Sequence, residues 1–589
     1  MLSENASQGL LFAASELSSY IERTCGVKLE IVPAAAQEHV IELVIDGNGT
    51  WRDQGFTITS KAGKLTISGQ SDTACLYGVY EFLESYIGWR FLTPDAQALL
   101  TPGENIDIPN GIEVSEKPGI TYRSLFTPET LAGKVEGYNA DNVADFWGQM
   151  RLNADDGHLT VRQGTSRMKW AENRSCHTFG TLANGAHSLT EQPCLSDETV
   201  YQNMLDMLAR ALKWLSDNPN AALISISQDD NNYYCQCENC QRVAKEEGTE
   251  TEPRQSGPII RFVNRIAEAI EKEYPDVLVH TFAYTYSEKP PLVTKARDNI
   301  AVQYCTISAC FQHAINDPDC NQNGGLYGWN FNNAAHAADI VEWGKIAKNI
   351  YIWDYSSSCD ISFIYFSTFD VLLENTRFFA ENNVKGIFLN GSGDKMPEFS
   401  ELRTYMHAKV YWDPYMMEEE YQRCIDEFIQ GYYGDAWKEM REYYDFLTES
   451  SNKSGFCFCD ANYTTFRLFR RMDIVLNEQE INELFEKAKS AVEDDATILR
   501  RVEDIELTWQ CAILSCRYMP DYIYGSDEVR AEYQSRTKAL YDKCAERGYP
   551  SDIGHEEGDS VLPPYDPDQY PYQWFNGDEE KKIVGNQYV

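Results

Sequence analysis

Between residues 113 and 414 the chain repeats one pattern: a short apolar run rich in β-branched residues, a polar loop, then helical periodicity. The runs that read as strands are 120–126, 146–153, the neighbourhood of Thr178, 222–227, 278–284, 300–307, 350–355 and 385–390. Strands apolar on both faces must be covered on both, and the intervening helices supply the cover. Alternation of this kind demands an α/β architecture. Eight units in roughly 300 residues predict a (β/α)8 TIM-type barrel as the catalytic part.

The flanks differ. Helical spacing over 10–25, a strand at 40–45, a hairpin of 54–59 and 64–68 across Lys61-Ala62-Gly63, and a helix over 72–86 predict an α+β accessory domain, 1–112. Pro102, Pro109 and Pro118 mark its border. Past Trp412-Asp413-Pro414 the strands stop. Helical periodicity at 416–432, 436–450, 477–492, 496–518 and 528–547 predicts an α-helical domain, 415–547. A Pro-, Asp- and Tyr-rich tail, 548–589, reads as extended surface chain.

Charge narrows the function. A formal charge of −40, from 91 acids and 51 bases, disfavours nucleic acid and anionic membranes as partners. No run of about 18 apolar residues is present to span a bilayer. The start, MLSENASQGLLFAASELSS, lacks the basic, then apolar order of a secretory signal. With 17 scattered cysteines, this suits reduced thiols in a cytoplasm, or an exported chain whose signal has been removed.

The chemistry concentrates in 221–240, AALISISQDDNNYYCQCENC. A buried strand there gives way to Gln228, Asp229, Asp230, Asn231 and Asn232, and carboxylates at the mouth of such a strand are costly unless used. Adjacent carboxylates repel, which raises one pKa as an acid catalyst requires. The other reading is an Asx-rich helix cap or a calcium-like oxygen cluster. Cys235, Cys237 and Cys240 follow, and fit reduced packed thiols, a disulfide pair, or zinc with a fourth ligand from Cys305, Cys310 or Cys320. At other strand ends, Arg123, His177 and Asn390 suit hydroxyl binding, Trp353 a sugar-stacking floor or simple core packing, and Asp354 hydroxyl binding. Glu288 is the runner-up acid. No phosphate loop, GxSxG elbow or HExxH occurs, and no organic cofactor is expected.

Several stretches are similar to a known family. His177-Thr178-Phe179, Gln192-Pro193-Cys194-Leu195-Ser196, Ser225-Ile226-Ser227-Gln228-Asp229-Asp230 and Tyr234-Cys235-Gln236-Cys237-Glu238-Asn239-Cys240 occur in order. Ala283-Tyr284-Thr285-Tyr286, Trp353-Asp354-Tyr355, Asn375-Thr376-Arg377-Phe378-Phe379, Val384-Lys385-Gly386-Ile387-Phe388 and Ala408-Lys409-Val410-Tyr411-Trp412-Asp413-Pro414 follow. Together they resemble the bacterial family defined by domain of unknown function 4838, which includes the endo-β-N-acetylglucosaminidases of glycoside hydrolase family 163. The first 112 residues also resemble the domain that precedes the barrel in hexosaminidases and α-glucuronidases. The resemblance implies a retaining β-N-acetylglucosaminidase acting on N-glycan-type oligosaccharides, with the substrate's 2-acetamido group as nucleophile. It implies Asp230 as general acid, Asp229 as acetamide polariser, and Asn231, Tyr284 and Tyr286 as substrate contacts. Two rivals stand beside it. An α-glucuronidase-like hydrolase would need a basic cluster drawn from Arg123, Arg151 and Arg162, and a non-catalytic glycan-binding protein would need no paired carboxyl groups.

Overall fold

The computed structural model describes residues 6–32, 40–47, 53–101, 106–155, 168–170, 176–183, 192–217, 221–322, 331–357, 365–366, 368–391, 398–454, 457 and 472–547. The tail at 548–589 and Arg162 lie outside these residues. Helix α1 (Gln8–Cys25) starts where Ser7 accepts from Leu10 N and stops at Gly26, whose φ of 75° only glycine adopts readily. Six strands come next: β1 (Val40–Ile45), β2 (Phe56–Lys61), β3 (Lys64–Gly69), β4 (Trp89–Thr93), β5 (Ala96–Leu99) and β6 (Glu113–Glu116). Four of them form a sheet in the order β1-β3-β2-β6, and β4 pairs with β5 alone. The β2–β3 hairpin turns at Ala62 and Gly63, both at positive φ (51° and 79°), as a type I′ turn requires. Helix α2 (Asp72–Phe82), capped by Ser71, packs against α1 on one side and β3 on the other.

The second sheet is built from β7 (Tyr122–Phe126), β8 (Ala154–Asp155), β9 (Met168–Trp170), β10 (Ala221–Ser225), β11 (Leu278–Ala283) and β12 (Ile300–Cys305). After a small antiparallel pair, β13 (Asn321–Gln322) and β14 (Phe331–Asn332), it is completed by β15 (Asn349–Tyr355) and β16 (Val384–Asn390). Its order is β7-β16-β15-β12-β11-β10-β9-β8, every neighbouring pair parallel. The α/β class therefore holds, but the closed (β/α)8 barrel does not. The terminal strands β7 and β8 share no ladder among the described residues, and only six of the eight strands reach five residues or more. The reason is local. Asn153, buried just ahead of β8, offers its side-chain Oδ1 to Arg123 N at 2.9 Å, while its own N–H goes to Arg123 O at 3.3 Å. A side chain thus satisfies the amide that a backbone ladder would need.

Two expected strands are helices instead. The first half of the run 146–153 falls in α3 (Ala140–Gln149), opened by a capping box in which Asn139 and Asn142 bond reciprocally, and the second half follows it without forming a strand. Thr178 precedes the short α4 (Phe179–Leu182). The remaining helices that pack on the sheet are α5 (Glu198–Asp217), α7 (Ser256–Glu271), α8 (Asn333–Ile346), α9 (Phe369–Glu381) and α10 (Ser400–Trp412), while α6 (Glu238–Glu246) packs on α7. Beyond them α11 (Glu418–Tyr433), α12 (Trp437–Ser454) and further helices at Glu478–Ala491, Ala496–Arg517 and Asp527–Glu546 carry the chain on without strands. One continuous apolar cluster runs from Leu10 to Cys516. No described helix is long and apolar enough to cross a membrane.

Trp412, the last residue of α10, joins the two sheets. Its ring stacks on Phe56 at 5.9 Å and meets Tyr77 edge-on at 5.5 Å, and the guanidinium groups of Arg123 and Arg151 each lie 5.2 Å from it. Its indole N–H donates to Glu116 Oε2 at 3.0 Å. Beside it Glu84, 6% exposed, accepts from Arg151 at 2.9 Å and from Lys409.

Candidate active site

Because the strands of the second sheet are parallel, their C-terminal ends share one edge, where ligands meet open α/β sheets. Past the end of β10 the chain continues buried through Ser227 and Gln228, then turns at Asp229 to Asn231. Gln192 fixes this turn: its Oε1 accepts from Asp229 N at 3.1 Å, and its Nε2 donates to Asp229 O at 2.7 Å and to Asn231 Oδ1 at 3.1 Å. Gln228 reaches across to β11, donating through Nε2 to Tyr284 O at 3.0 Å and accepting from Ser287. The same Nε2 lies 3.3 Å from Thr285 Oγ1. Thr285 and His177 both sit at positive φ, 50° and 52°. Left-handed backbone at such residues costs of order 1–3 kcal/mol and persists where surrounding structure enforces it, often at functional sites.

The two motif aspartates are not equivalent. Asp229 is buried, and its Oδ2 accepts from Gly180 N at the start of α4 at 2.8 Å. Burial pushes its carboxyl above the ordinary range, with the Gly180 amide and His177 opposing. Asp230 is exposed, and Tyr284 donates its hydroxyl to Asp230 Oδ1 at 2.9 Å. His177 Nδ1 lies 2.9 Å from Gln228 O, and its ring is 6.4 Å from Tyr284. Tyr286 stands apart from that pair, its ring 5.0 Å from Tyr234, and burial pushes its hydroxyl pKa up.

Two strands along the same edge, Trp353 and Asp354 are half-buried on β15. Trp353 packs edge-on against Phe388 at 4.5 Å and Phe282 at 5.7 Å, and its indole N–H is buried without a partner among the described residues. Ser356 and Ser357, just beyond, also have buried hydroxyls without partners there. Asp354 Oδ1 accepts from Thr306 Oγ1 at 2.8 Å, and burial raises its carboxyl to about 6 against the pull of Thr306 and the Tyr355 amide. Asn390 closes β16, its backbone O accepting from Ser356 N at 3.1 Å. Beneath the edge lies a buried polar chain that the sequence reading missed. His280 Nδ1 is 3.0 Å from Ser225 Oγ, and its Nε2 is 2.7 Å from Gln303 Oε1. Burial lowers His280 to about 4, so the ring is neutral.

Three expectations fail on position. Arg123 is fully buried near the start of β7 and spends its guanidinium on the carbonyls of Ile120, Thr121 and Arg151 and on Gln54 Oε1. It cannot reach the C-terminal edge. Arg151 is bound to Glu81 and Glu84. Glu288 is tied to Tyr304 OH and His336 Nδ1, each at 3.1 Å, under α8. The cysteine motif finds its fourth member in Cys194, not in Cys305, Cys310 or Cys320. The ligand atoms of Cys194, Cys235, Cys237 and Cys240 all lie within 4.8 Å of one another. Cys194 Sγ is 3.6 Å from Cys237 Sγ, and the Cys240 amide donates to Cys237 Sγ at the start of α6. Four convergent thiols with an amide-bonded sulfur at a helix start suit a closed tetrahedral metal.

The fold and rim place the chain among α/β proteins with a polar, carboxylate-bearing edge on a parallel sheet. Residues 93–445, more than half of the chain, match the model of the Domain of unknown function (DUF4838), and the protein belongs to that family. A GH138 enzyme targeting pectin rhamnogalacturonan II superposes over 100% of this chain and 99% of that one, with a TM-score of 0.48 and 10% identity. That overlap is too loose to transfer any role to these residues. No match is found among curated proteins.

Proposed function

We propose that the protein hydrolyses glycosidic bonds of oligosaccharides at the C-terminal edge of its parallel sheet. The observation that carries this reading is the Tyr284–Asp230 pair, a hydroxyl and a carboxylate 2.9 Å apart past the ends of β11 and β10, on the same edge as Trp353 of β15. Such a pair matches the carbonyl and N–H of a 2-acetamido group, with the phenol turning its one proton from Asp230 to the carbonyl and the carboxylate accepting from the N–H instead. The preferred bond is therefore a β-linked N-acetylglucosaminide, cleaved with retention through the acetamide. Asp354, at the end of β15 with its carboxyl raised by burial to about 6, is the candidate donor to the leaving oxygen. These roles differ from those the sequence suggested. Asp229 is committed to the Gly180 amide and positions the turn, which leaves Asp230 as the polarising carboxylate.

Product release from N-glycans, chitobiose and uronic-acid oligosaccharides, followed by mass spectrometry, tests the proposal. Wild type should free N-acetylglucosamine-containing products, and Asp230→Asn should lose about 10²- to 10⁴-fold in kcat. Release from uronic-acid substrates alone would favour the glucuronidase-like reading. Saturable binding without turnover would make the protein a glycan-binding module.

A further inference from the structure

After β12 the chain runs through a loop, 306–320, before it reaches β13. Three side chains of this loop, Cys310, His313 and Cys320, converge on Cys457, which follows α12. Their ligand atoms all lie within 4.8 Å of one another. Cys310 Sγ is 3.3 Å from His313 Nδ1, Cys457 Sγ is 3.5 Å from the same nitrogen, and Cys320 Sγ is 3.8 Å from Cys457 Sγ. A tetrahedral zinc ion with Zn–S about 2.3 Å and Zn–N about 2.0–2.1 Å spaces its ligands at about 3.8 Å for S···S and about 3.6 Å for S···N. The observed S···S spacing of 3.8 Å matches, and the S···N spacings of 3.3 and 3.5 Å are slightly shorter than the tetrahedral value.

The surroundings are built to hold this geometry. Cys310, Cys320 and Cys457 are buried, with His313 half-buried. Asn333, fully buried at the start of α8, donates through Nδ2 to the carbonyls of Cys310, His313 and Ala314 and accepts from Cys310 N through Oδ1. Its own amide donates to Cys320 O. One residue therefore fixes the backbone that presents all three loop ligands, its side chain at Cys310 and His313 and its main-chain amide at Cys320. Gln312 bonds Ser451 and Asn452 near the end of α12, which brings the segment bearing Cys457 alongside.

We propose that Cys310, His313, Cys320 and Cys457 bind a structural zinc ion that clamps loop 306–320 to the segment after α12. Three thiolates and one imidazole form a closed set with no position left for water, so the metal is structural. Its mechanical reach extends to the edge of the sheet, because the clamped loop begins with Thr306, the hydrogen-bond donor to Asp354, and includes Phe311, packed on Tyr355. The inference does not depend on which reaction the edge performs.

The test is metal content of the full-length protein, purified under reducing conditions and measured by mass spectrometry of the metal. His313→Ala should hold about one equivalent of zinc less than wild type, while His313→Cys, which restores a fourth soft ligand, should keep it. Equal zinc in wild type and His313→Ala, or a zinc-free wild type, would overturn the proposal. Should His313→Ala fail to fold, X-ray absorption at the zinc edge of wild type decides. A shell containing nitrogen at about 2.0–2.1 Å beside sulfur supports the site, and sulfur alone overturns it.

Discussion

Asp354 shows what burial does to a carboxyl group at the end of a strand. In the unfolded chain it ionises near pH 3.9, and in the native site only near about 6. Between those values the native state holds a proton the unfolded chain has lost, so the site's contribution to stability falls as pH rises and is fully lost above about 6. Asp354→Asn, which cannot ionise, should lose this pH dependence, and urea unfolding at a series of pH values measures the difference from wild type. If Asp354 is the proton donor, kcat/KM of wild type should also fall above about 6, and the aspartate-to-asparagine change should leave too little activity to show that limb. A profile flat from pH 5 to 8 in wild type (a range spanning the ordinary histidine pKa of about 6.5) would remove Asp354 from the reaction. Tyr284→Phe is a narrower probe. It deletes one hydroxyl and leaves the Phe282 and His177 ring contacts in place, so a selective loss on N-acetylated substrates would point to the acetamide.

At the scale of elements, Asn153 decides how the parallel sheet ends. Its Oδ1 accepts from Arg123 N and its Nδ2 donates to Thr121 O at 2.8 Å. Thr121 O would still accept from Gln54 Nε2 and from Arg123, but Asn153→Ala should leave the buried Arg123 amide unpaired and cost about 1–3 kcal/mol, read as a lower urea midpoint. The sequence carried the long strands well. The runs near 222, 278, 300, 350 and 385 are continuous, β-branched and bounded by polar loops, and each became a strand of five to seven residues. It misread 146–153, because a short apolar run inside a buried helix looks like a buried strand. The reciprocal Asn139/Asn142 cap of α3 was the available signal. Closure of the sheet was not legible, since it turns on one asparagine side chain replacing a ladder. Nor were Cys194 and Cys457, because only the folded chain brings them beside their partners. The Asp229-Asp230 doublet was visible at once, but its division into a tethered and an exposed carboxylate depends on Gly180 and Tyr284, which come from other elements.

For the whole molecule, the junction of the two sheets depends on one buried carboxylate. Glu84 extends from the turn after α2, and burial alone would push its pKa up, but Lys409, Arg151 and Arg90 together hold it below the ordinary glutamate value. Lys409 belongs to α10, Arg151 follows α3, and Arg90 lies on β4, where it also pairs with Glu427 of α11 at 2.7 Å. Charge at Glu84 therefore ties the first hundred residues to the parallel sheet and, through Arg90, to the helices beyond it. Glu84→Gln would leave Lys409 and Arg151 buried beside a neutral amide, and removal of one partner from such a cluster costs about 3–5 kcal/mol. The sign with pH follows from the lowered value. The stabilisation is complete above the unfolded glutamate pKa and is lost as pH falls through the lower native one. Wild type should lose stability on acidification below the ordinary glutamate range more steeply than Glu84→Gln does, so the gap between the two in urea midpoint should narrow toward low pH. A gap that stays constant down to acid unfolding would mean that Glu84 acts through packing alone, and that Trp412, stacked between the same elements, holds the sheets together without it.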